Sequence, residues 1–593
     1  MHLSYNQWGY RPESAKTLTL APAPGERAEG LPERIPFYLN DFVQRVRRDV
    51  PLPEGWGGRY FRWPFDPAAG RIVPESGGWL YRGELRRIDS RWGVFWQGDF
   101  SDFRQAGQFH IETDFGGSFP FLIEPDLHER LQAGFLNYLY HQRSGFDLPG
   151  YRRAEHLDDG VLETDGRPVA AAGGWYNAGD MRKWLYLTLH SLDTLAAVAE
   201  RGHPGLRERA LDEIRWGNRY FHAMLSEAGQ VWEDIGGGDL KPGLSYERDW
   251  WFENHAGCGA GGEGCHLTDN RPGTGDERKI RTHYNPFTQF MFVHGQCRSA
   301  VVLPDDEAKP CLRLAERAWR HGRERGHDGR TLFVAQELRA GLELLAARSQ
   351  AVAPAEIEFL ARLLLDRQDL EEGGLTGSFL EADGTDGFRS IAFAALPAMA
   401  LLRLAELAPP ALADLLPPCR EALARYLDGF VLADARSNPF GYPPYGIYLD
   451  PPHPERQTFR DAGRGRGVRS FIHPFNPQEI VHGTSAAALH MAAVLARAGR
   501  LLARPDWREA AEAIVHWTLG HNPQGLCLHS GVGHRRPVPF SSFTAQLPDT
   551  VVVGHIGRPD DSPYLETSPL VEWSTQEIWD IPNAYLTETV LNL

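Results

Sequence analysis

Two carboxylates in unlike surroundings stand at opposite ends of the chain. Asp180 closes the stretch GGWYNAGD (173–180), and Glu577 lies in STQEIWDIPNA (574–584). Hydrolysis of a glycosidic bond uses such a pair: one group protonates the leaving oxygen and the other activates water or attacks the sugar. Trp573, Ile578 and Trp579 would desolvate Glu577, and desolvation raises a carboxylic acid's pKa towards that of a general acid. Asp180, after a Gly-rich turn and before MRKWLYLTL, has the form of a helix N-cap as well as of a base. Asn177, three positions earlier, can hold a water but cannot take its proton.

Other residues could bind rather than react. Trp232, Trp250, Trp251, Tyr442, Tyr445, Phe475 and Trp579 lie in or near long loops, where aromatic faces can carry sugars. His473 and His482 are further candidates for the same cleft. The stretch HAGCGAGGEGC with His266 offers His255, Cys258, Cys265 and His266, donors that suit zinc, although a loop with free thiols has the same composition. Asp158-Asp159 and Asp560-Asp561 offer oxygen ligands of the kind calcium takes.

The elements that must position these residues fall into two parts. Residues 1–123 carry short segments such as LTLA, FWQGDF (95–100) and GQFHIET (107–113) between Gly, Pro and Asp clusters, which predicts a small β-sandwich. From about residue 128 the period changes to that of helices, as in LFVAQELRAGLELLAAR and GTSAAALHMAAVLARAGRLL. One helix reads in detail: Asp506 as cap with Glu509 three positions on, then Trp507, Ala510, Ala511, Ile514 and Trp517 on one face. Pro582 suits the first turn of a terminal helix and leaves Glu577 in the loop ahead of it. Long Gly/Pro/aromatic loops, 232–290 and 434–481, interrupt the helices, and loops of that length are usually functional.

Composition narrows the function. The 593 residues carry a formal charge of −16, which disfavours nucleic acid and anionic membranes as partners. Seventeen Trp residues agree with sugar binding and with a large core alike. There is no run of eighteen apolar residues, and the opening MHLSYNQWGYRP has neither a basic nor an apolar leader region. Together with six cysteines in no disulfide pattern, this predicts a cytoplasmic protein.

Several segments, in order, resemble glycoside hydrolase family 9 in its form with an N-terminal immunoglobulin-like domain. They are NQWGYRP (6–12), SFPFLIEPDL followed by LNYLYHQRSG, GGWYNAGD, LGHNPQG (519–525), SGVGHRRP (530–537), GRPDDSP and STQEIWDIPNA. The resemblance implies an immunoglobulin-like β-sandwich over 1–123 and an all-α (α/α)6 barrel over 128–593. It implies an inverting hydrolase of β-linked, β-1,4-glucan-type oligo- or polysaccharides, endoglucanase- or exo-β-glucosidase-like, with Asp180 as general base and Glu577 as general acid. Trp175 and Tyr176 of the signature and His534, Arg535 and Arg536 of the late segment would contact the sugar. No cofactor is required, structural calcium or zinc aside.

The chain also departs from that family. Asn177 stands where the signature has its first Asp, which predicts slower water activation. Ser144 and Glu155-His156 stand where many relatives hold zinc through one Cys and a Cys-His pair, so that site is expected to be lost. The His-His-Arg run is replaced by VPFSSFTAQ. Three alternatives follow: an exo-β-glucosaminidase or another non-cellulose β-glycosidase, a phosphorolytic enzyme on a similar barrel, and a sugar-binding relative with impaired catalysis. Oligomeric state has no signature in the sequence.

Overall fold

The computed structural model describes residues 1–22, 28, 30–41, 79–236, 267–472, 482–541, 547–567 and 573–593, with the backbone of 65–66 and 71–72. Trp250, Trp251, His255, Cys258, Cys265, His266, His473 and Phe475 lie outside the described residues.

The N-terminal part is one nine-stranded sheet. Its strands are β1 (His2–Ser4), β2 (Gly9–Tyr10), β3 (Thr17–Ala21), β4 (Arg34–Asp41), β5 (Tyr81–Ser90), β6 (Gly93–Asp99), β7 (Gly107–Thr113), β8 (Gly116–Gly117) and β9 (Phe121–Ile123). The order is β1-β3-β6-β5-β4-β7-β9-β2, with β8 a hairpin on β7. In β4 burial alternates, so that Ile35, Phe37 and Leu39 face the interior, as a period of two requires. Hydrogen bonds join all nine strands, and the sheet curls on itself around a core that includes Leu18, Leu20, Phe37, Trp96, Ile111 and Ile123, consistent with the expected immunoglobulin-like domain.

Twelve helices of nine or more residues follow among the described residues. They are α1 (Glu129–Gln142), α2 (Ser191–Arg201), α3 (Arg207–Ala223), α4 (Pro286–Val302), α5 (Asp305–Arg325), α6 (Thr331–Ala346), α7 (Pro354–Asp366), α8 (Leu396–Leu407), α9 (Leu416–Ala424), α10 (Ser485–Leu501), α11 (Pro505–Thr518) and α12 (Asp580–Val590). The even-numbered helices pack in a closed ring, α2-α4-α6-α8-α10-α12 and back to α2, and odd-numbered helices lie outside against them. Sequence separates the two rings. Inner α10 is buried on every face from Ser485 to Gly499, whereas outer α5 buries only the stripe Cys311, Ala315, Ala318, Trp319 and Gly322.

Two local expectations need correction. Helix α11 starts at Pro505, so Asp506 is in its first turn and pairs with Arg504 instead of capping. Asp180 is no helix cap either, because the chain first forms a short strand at Lys183–Trp184 and the helical turn begins at Leu185. The sheet docks on outer helix α11 and on the loops that follow it: Arg11 reaches Glu512 of α11 at 2.9 Å, and the Trp92 indole donates to the Asp561 carbonyl at 2.9 Å. No described helix is long and apolar enough to cross a membrane.

Candidate active site

Asp180 and Glu577 are brought to the same rim, at the N-terminal ends of the neighbouring inner helices α2 and α12. The signature turn is tied down on three sides. Gln142 of α1 donates to the Ala178 carbonyl at 2.8 Å, the Asp580 N–H donates to the Asn177 carbonyl at 3.1 Å, and Lys183–Trp184 pairs antiparallel with Asp234–Ile235. Two glycines are required by their surroundings. Gly174 has φ +72°, and a Cβ there would sit 2.5 Å from the Tyr220 ring. A Cβ on Gly179 would lie 2.6 Å from the Phe540 carbonyl oxygen and 3.3 Å from Glu577 Cγ. The residue before Asp180 therefore lies against the Glu577 side chain itself.

The late segment is held as firmly. The Val553 N–H donates to the Glu577 carbonyl at 2.8 Å, and Phe540 bridges Glu577 in parallel. Ala178, Val553 and Trp579 form a small apolar cluster at the junction, with Ile391 against it. The Glu577 Oε2 atom receives His482 Nε2 at 3.1 Å and Trp579 Nε1 at 3.0 Å, and Glu577 is 9% exposed. Asp180 is half-buried, and its Oδ1 accepts from the Arg182 N–H at 3.1 Å.

Asn177 is buried, and its Oδ1 accepts the Trp184 N–H at 2.9 Å. That oxygen braces the loop. Trp175 is 0% exposed, donates to Glu213 at 3.0 Å and packs on Phe221, so it belongs to the core and not to a sugar site. Tyr176 is likewise internal: its hydroxyl meets Glu155 Oε1 at 3.0 Å and His156 Nδ1 at 2.7 Å. Trp232 and Tyr445 are buried, and Tyr442 packs on Trp517 and Phe471 within the core. His534 turns to the sheet, stacked on Phe119 at 4.9 Å with Nε2 3.0 Å from the Pro120 carbonyl. Arg535 is exposed beside it, and its backbone N–H donates to Gln7 at 2.9 Å. Arg536 lines a cavity of about 400 Å³ (390 Å³) with Arg130, Tyr151, Ser530 and Asp549. Trp579 touches the site directly, through its hydrogen bond to Glu577.

Sequence reasoning missed two buried acids next to the rim. Burial pushes Glu233 up to about 7, although Trp184, Asn285 and Thr288 donate to it. Burial likewise pushes Asp580 up to about 8, with the Ser191 hydroxyl as donor. Neither has a sequence signal, because both depend on packing between inner helices.

The residues at the zinc position of the resembled family do not fit that metal. The set holds no cysteine, and the Arg152 guanidinium pairs with Glu155 at 2.8 Å while Tyr176 bridges Glu155 to His156. A cation and hydrogen bonds occupy the space where thiolates would hold zinc. Of the carboxylates named for calcium, Asp159 is held well below its ordinary pKa by Arg278 and Lys183 despite burial, and Asp561 is tied to Arg91 and Arg460. Asp158 instead joins Asp269 and Asp276, with one oxygen of each within 4.8 Å of the others. The four described cysteines, Cys297, Cys311, Cys419 and Cys527, are buried and free.

Residues 129–280 match the family model of glycosyl hydrolase family 9. Endoglucanase 16 of Oryza sativa subsp. japonica is 35% identical over 121 residues, 19% of this chain and 22% of that protein. Cellulose 1,4-beta-cellobiosidase of Acetivibrio thermocellus is 26% identical over 275 residues, 34% of this chain and 30% of that protein. The alignments thus span between about a fifth and a third of these curated relatives. In three dimensions the match covers the whole chain: a metagenome-derived glycoside hydrolase family 9 endoglucanase superposes with TM-score 0.68 at 18% identity over 100% of this chain and 99% of that one. A Zn-binding triple mutant of a family 9 endoglucanase superposes with TM-score 0.64 at 17% identity, over 98% of each chain.

Proposed function

Because this chain matches glycosyl hydrolase family 9 in its signature segment and in its whole fold, we propose that it is an inverting β-glycoside hydrolase acting on β-1,4-glucan-type oligosaccharides. Asp180 is the general base for water and Glu577 the general acid. One observation carries the reading: the Asp180 turn and the Glu577 side chain, 397 positions apart, pack against each other at one rim through Gly179. An inverting site separates its carboxyls by roughly 6.5–9.5 Å to admit water, and facing turns on neighbouring inner helices are suited to that span. Glu577 is bound by an imidazole and an indole instead of a guanidinium.

The sugar contacts beyond the scissile bond differ from those that the resemblance implied. With His534 engaged by the sheet and Trp175 and Tyr176 internal, the glycone is recognised by other groups. Product analysis therefore uses cello-, xyloglucan- and chito-oligosaccharides, with the anomer of the new reducing end followed by NMR. An inverted anomer from a β-1,4-glucan substrate supports the proposal. A retained anomer, or turnover only with added phosphate, refutes it. The Asp158, Asp269 and Asp276 group is proposed as a structural cation site for a hard ion such as calcium, tested by the shift in melting temperature on adding calcium and then chelator.

A further inference from the structure

The donors around the acid allow a finer assignment, one that rests on the hydrolase reading. Glu577 Oε2 takes two hydrogen bonds, from His482 Nε2 at 3.1 Å and from Trp579 Nε1 at 3.0 Å. An indole N–H can only donate, so Oε2 accepts from Trp579 in either protonation state of the carboxyl, and where Nε2 donates as well a hydrogen on Oε2 would find no acceptor there. His482 adds the same constraint. Its ring packs against Trp573 at 4.8 Å and Trp579 at 4.7 Å, and its Nδ1 is buried without a hydrogen-bond partner among the described residues. A neutral ring with its hydrogen on Nδ1 would bury that N–H without an acceptor and turn the Nε2 lone pair towards the Glu577 carboxylate, acceptor against acceptor. The hydrogen is thus placed on Nε2, aimed at Glu577.

We infer that His482 and Trp579 hold Oε2 as a fixed acceptor, that Oε1 is the oxygen delivering the proton, and that His482 is a positioning residue for the acid. In the step, the Oε1–H bond breaks and the proton passes to the glycosidic oxygen. The bond from that oxygen to the sugar carbon breaks, its electron pair staying with the leaving oxygen. Water supplies the new bond to carbon, and its proton goes to Asp180. The charge left on Glu577 spreads to Oε2, where the two N–H donors strengthen as it develops. This is stabilisation of the kind that lowers a barrier, since it grows in the transition state. His482 has no part in binding the sugar on this account, so its loss should be felt in kcat.

Leaving-group dependence tests this, because a dinitrophenolate departs without a proton whereas a sugar alcohol does not. The measurements are kcat and KM for cello-oligosaccharides and for a dinitrophenyl β-cellobioside, with wild type, His482→Phe and His482→Gln, each checked for native melting. Phe keeps the ring packing and removes the donor; Gln restores an N–H near the Nε2 position. The expected result for His482→Phe is a kcat loss of about 10- to 100-fold on the oligosaccharide, the worth of one hydrogen bond to a developing charge. KM should change little, and the loss on the aryl glycoside should be below about threefold. His482→Gln should recover most of the difference. Trp579→Phe, which removes the second donor, should repeat the pattern, and it stands as the test should His482→Phe not fold. Equal losses on both substrates, no recovery with Gln, or no loss at all would overturn the assignment. A wild-type protein that cleaves neither substrate, and forms no sugar phosphate when phosphate is supplied, overturns the hydrolase reading and this inference with it.

Discussion

The inner ring has two mouths, and both are lined with charge. At the C-terminal mouth α2, α4, α8, α10 and α12 line a cavity of about 400 Å³, and α6 joins through Glu343, the partner of Arg403. Arg298 pairs with Asp193 at 2.8 Å and Glu200 at 2.6 Å, Arg403 with Glu343 at 2.6 Å, and Arg497 with Glu406 and Glu588. Every carboxylate there has a guanidinium, and Glu406 is pulled to about 2 by Arg497 against its burial. At the N-terminal mouth, Glu577 meets an imidazole and an indole, and Asp580 keeps its proton up to about 8. Mutual neutralisation makes one mouth a structural closure. At the other mouth Glu577 is met by an imidazole and an indole and by no guanidinium among the described residues, and the proposed chemistry lies there.

The largest effects should separate the two mouths by kind. Glu577→Gln and Asp180→Asn should each lower kcat by about 10²–10⁴-fold, the usual worth of a positioned acid or base, with melting unchanged. Loss of melting temperature together with activity would show that these carboxylates, like those of the far mouth, are structural. Arg497→Ala should do the reverse: it strands Glu588 as a buried charge and leaves Glu406 with Arg403 alone, costs about 3–5 kcal/mol by denaturant titration, and leaves kcat of the folded fraction near wild type.

A smaller effect concerns pH. Below its ordinary value of 3.8 Asp580 is protonated folded or unfolded, and its contribution to stability is fully present. Between 3.8 and about 8 only the folded form keeps the proton, so stability falls as pH rises, by up to about 1.4 kcal/mol per pH unit. Asp580→Asn should flatten the decline of melting temperature between pH 5 and 9; parallel curves for the two proteins would contradict the buried-acid reading. The smallest effect is at Asn177. Asn177→Asp keeps the acceptor for Trp184 and should change kcat by less than about tenfold, whereas Asn177→Ala orphans that N–H and should cost about 1–2 kcal/mol of stability. A large rate gain with Asp would return position 177 to the catalytic machinery.

Legibility followed the range of the interactions. The helix periods and the ordered family-like segments were readable because each is local. Burial of Trp175, Tyr176, Tyr445 and Trp232 was not, because an aromatic in a Gly-rich loop reads alike whether it meets a sugar or a neighbouring helix. The same holds for the helix caps at Asp180 and Asp506, where pairing with Asp234–Ile235 and an N-terminal Pro moved the boundaries.

By itself the sequence determined the two-part order, strands and then helices, and the carboxylates and glycines available for chemistry, since residue types and their spacing are written in the chain. Only the tertiary structure decided which charges are neutralised and which stay open, because a pairing such as Arg497 with Glu588, or His482 with Glu577, depends on ring closure between segments nearly a hundred positions apart.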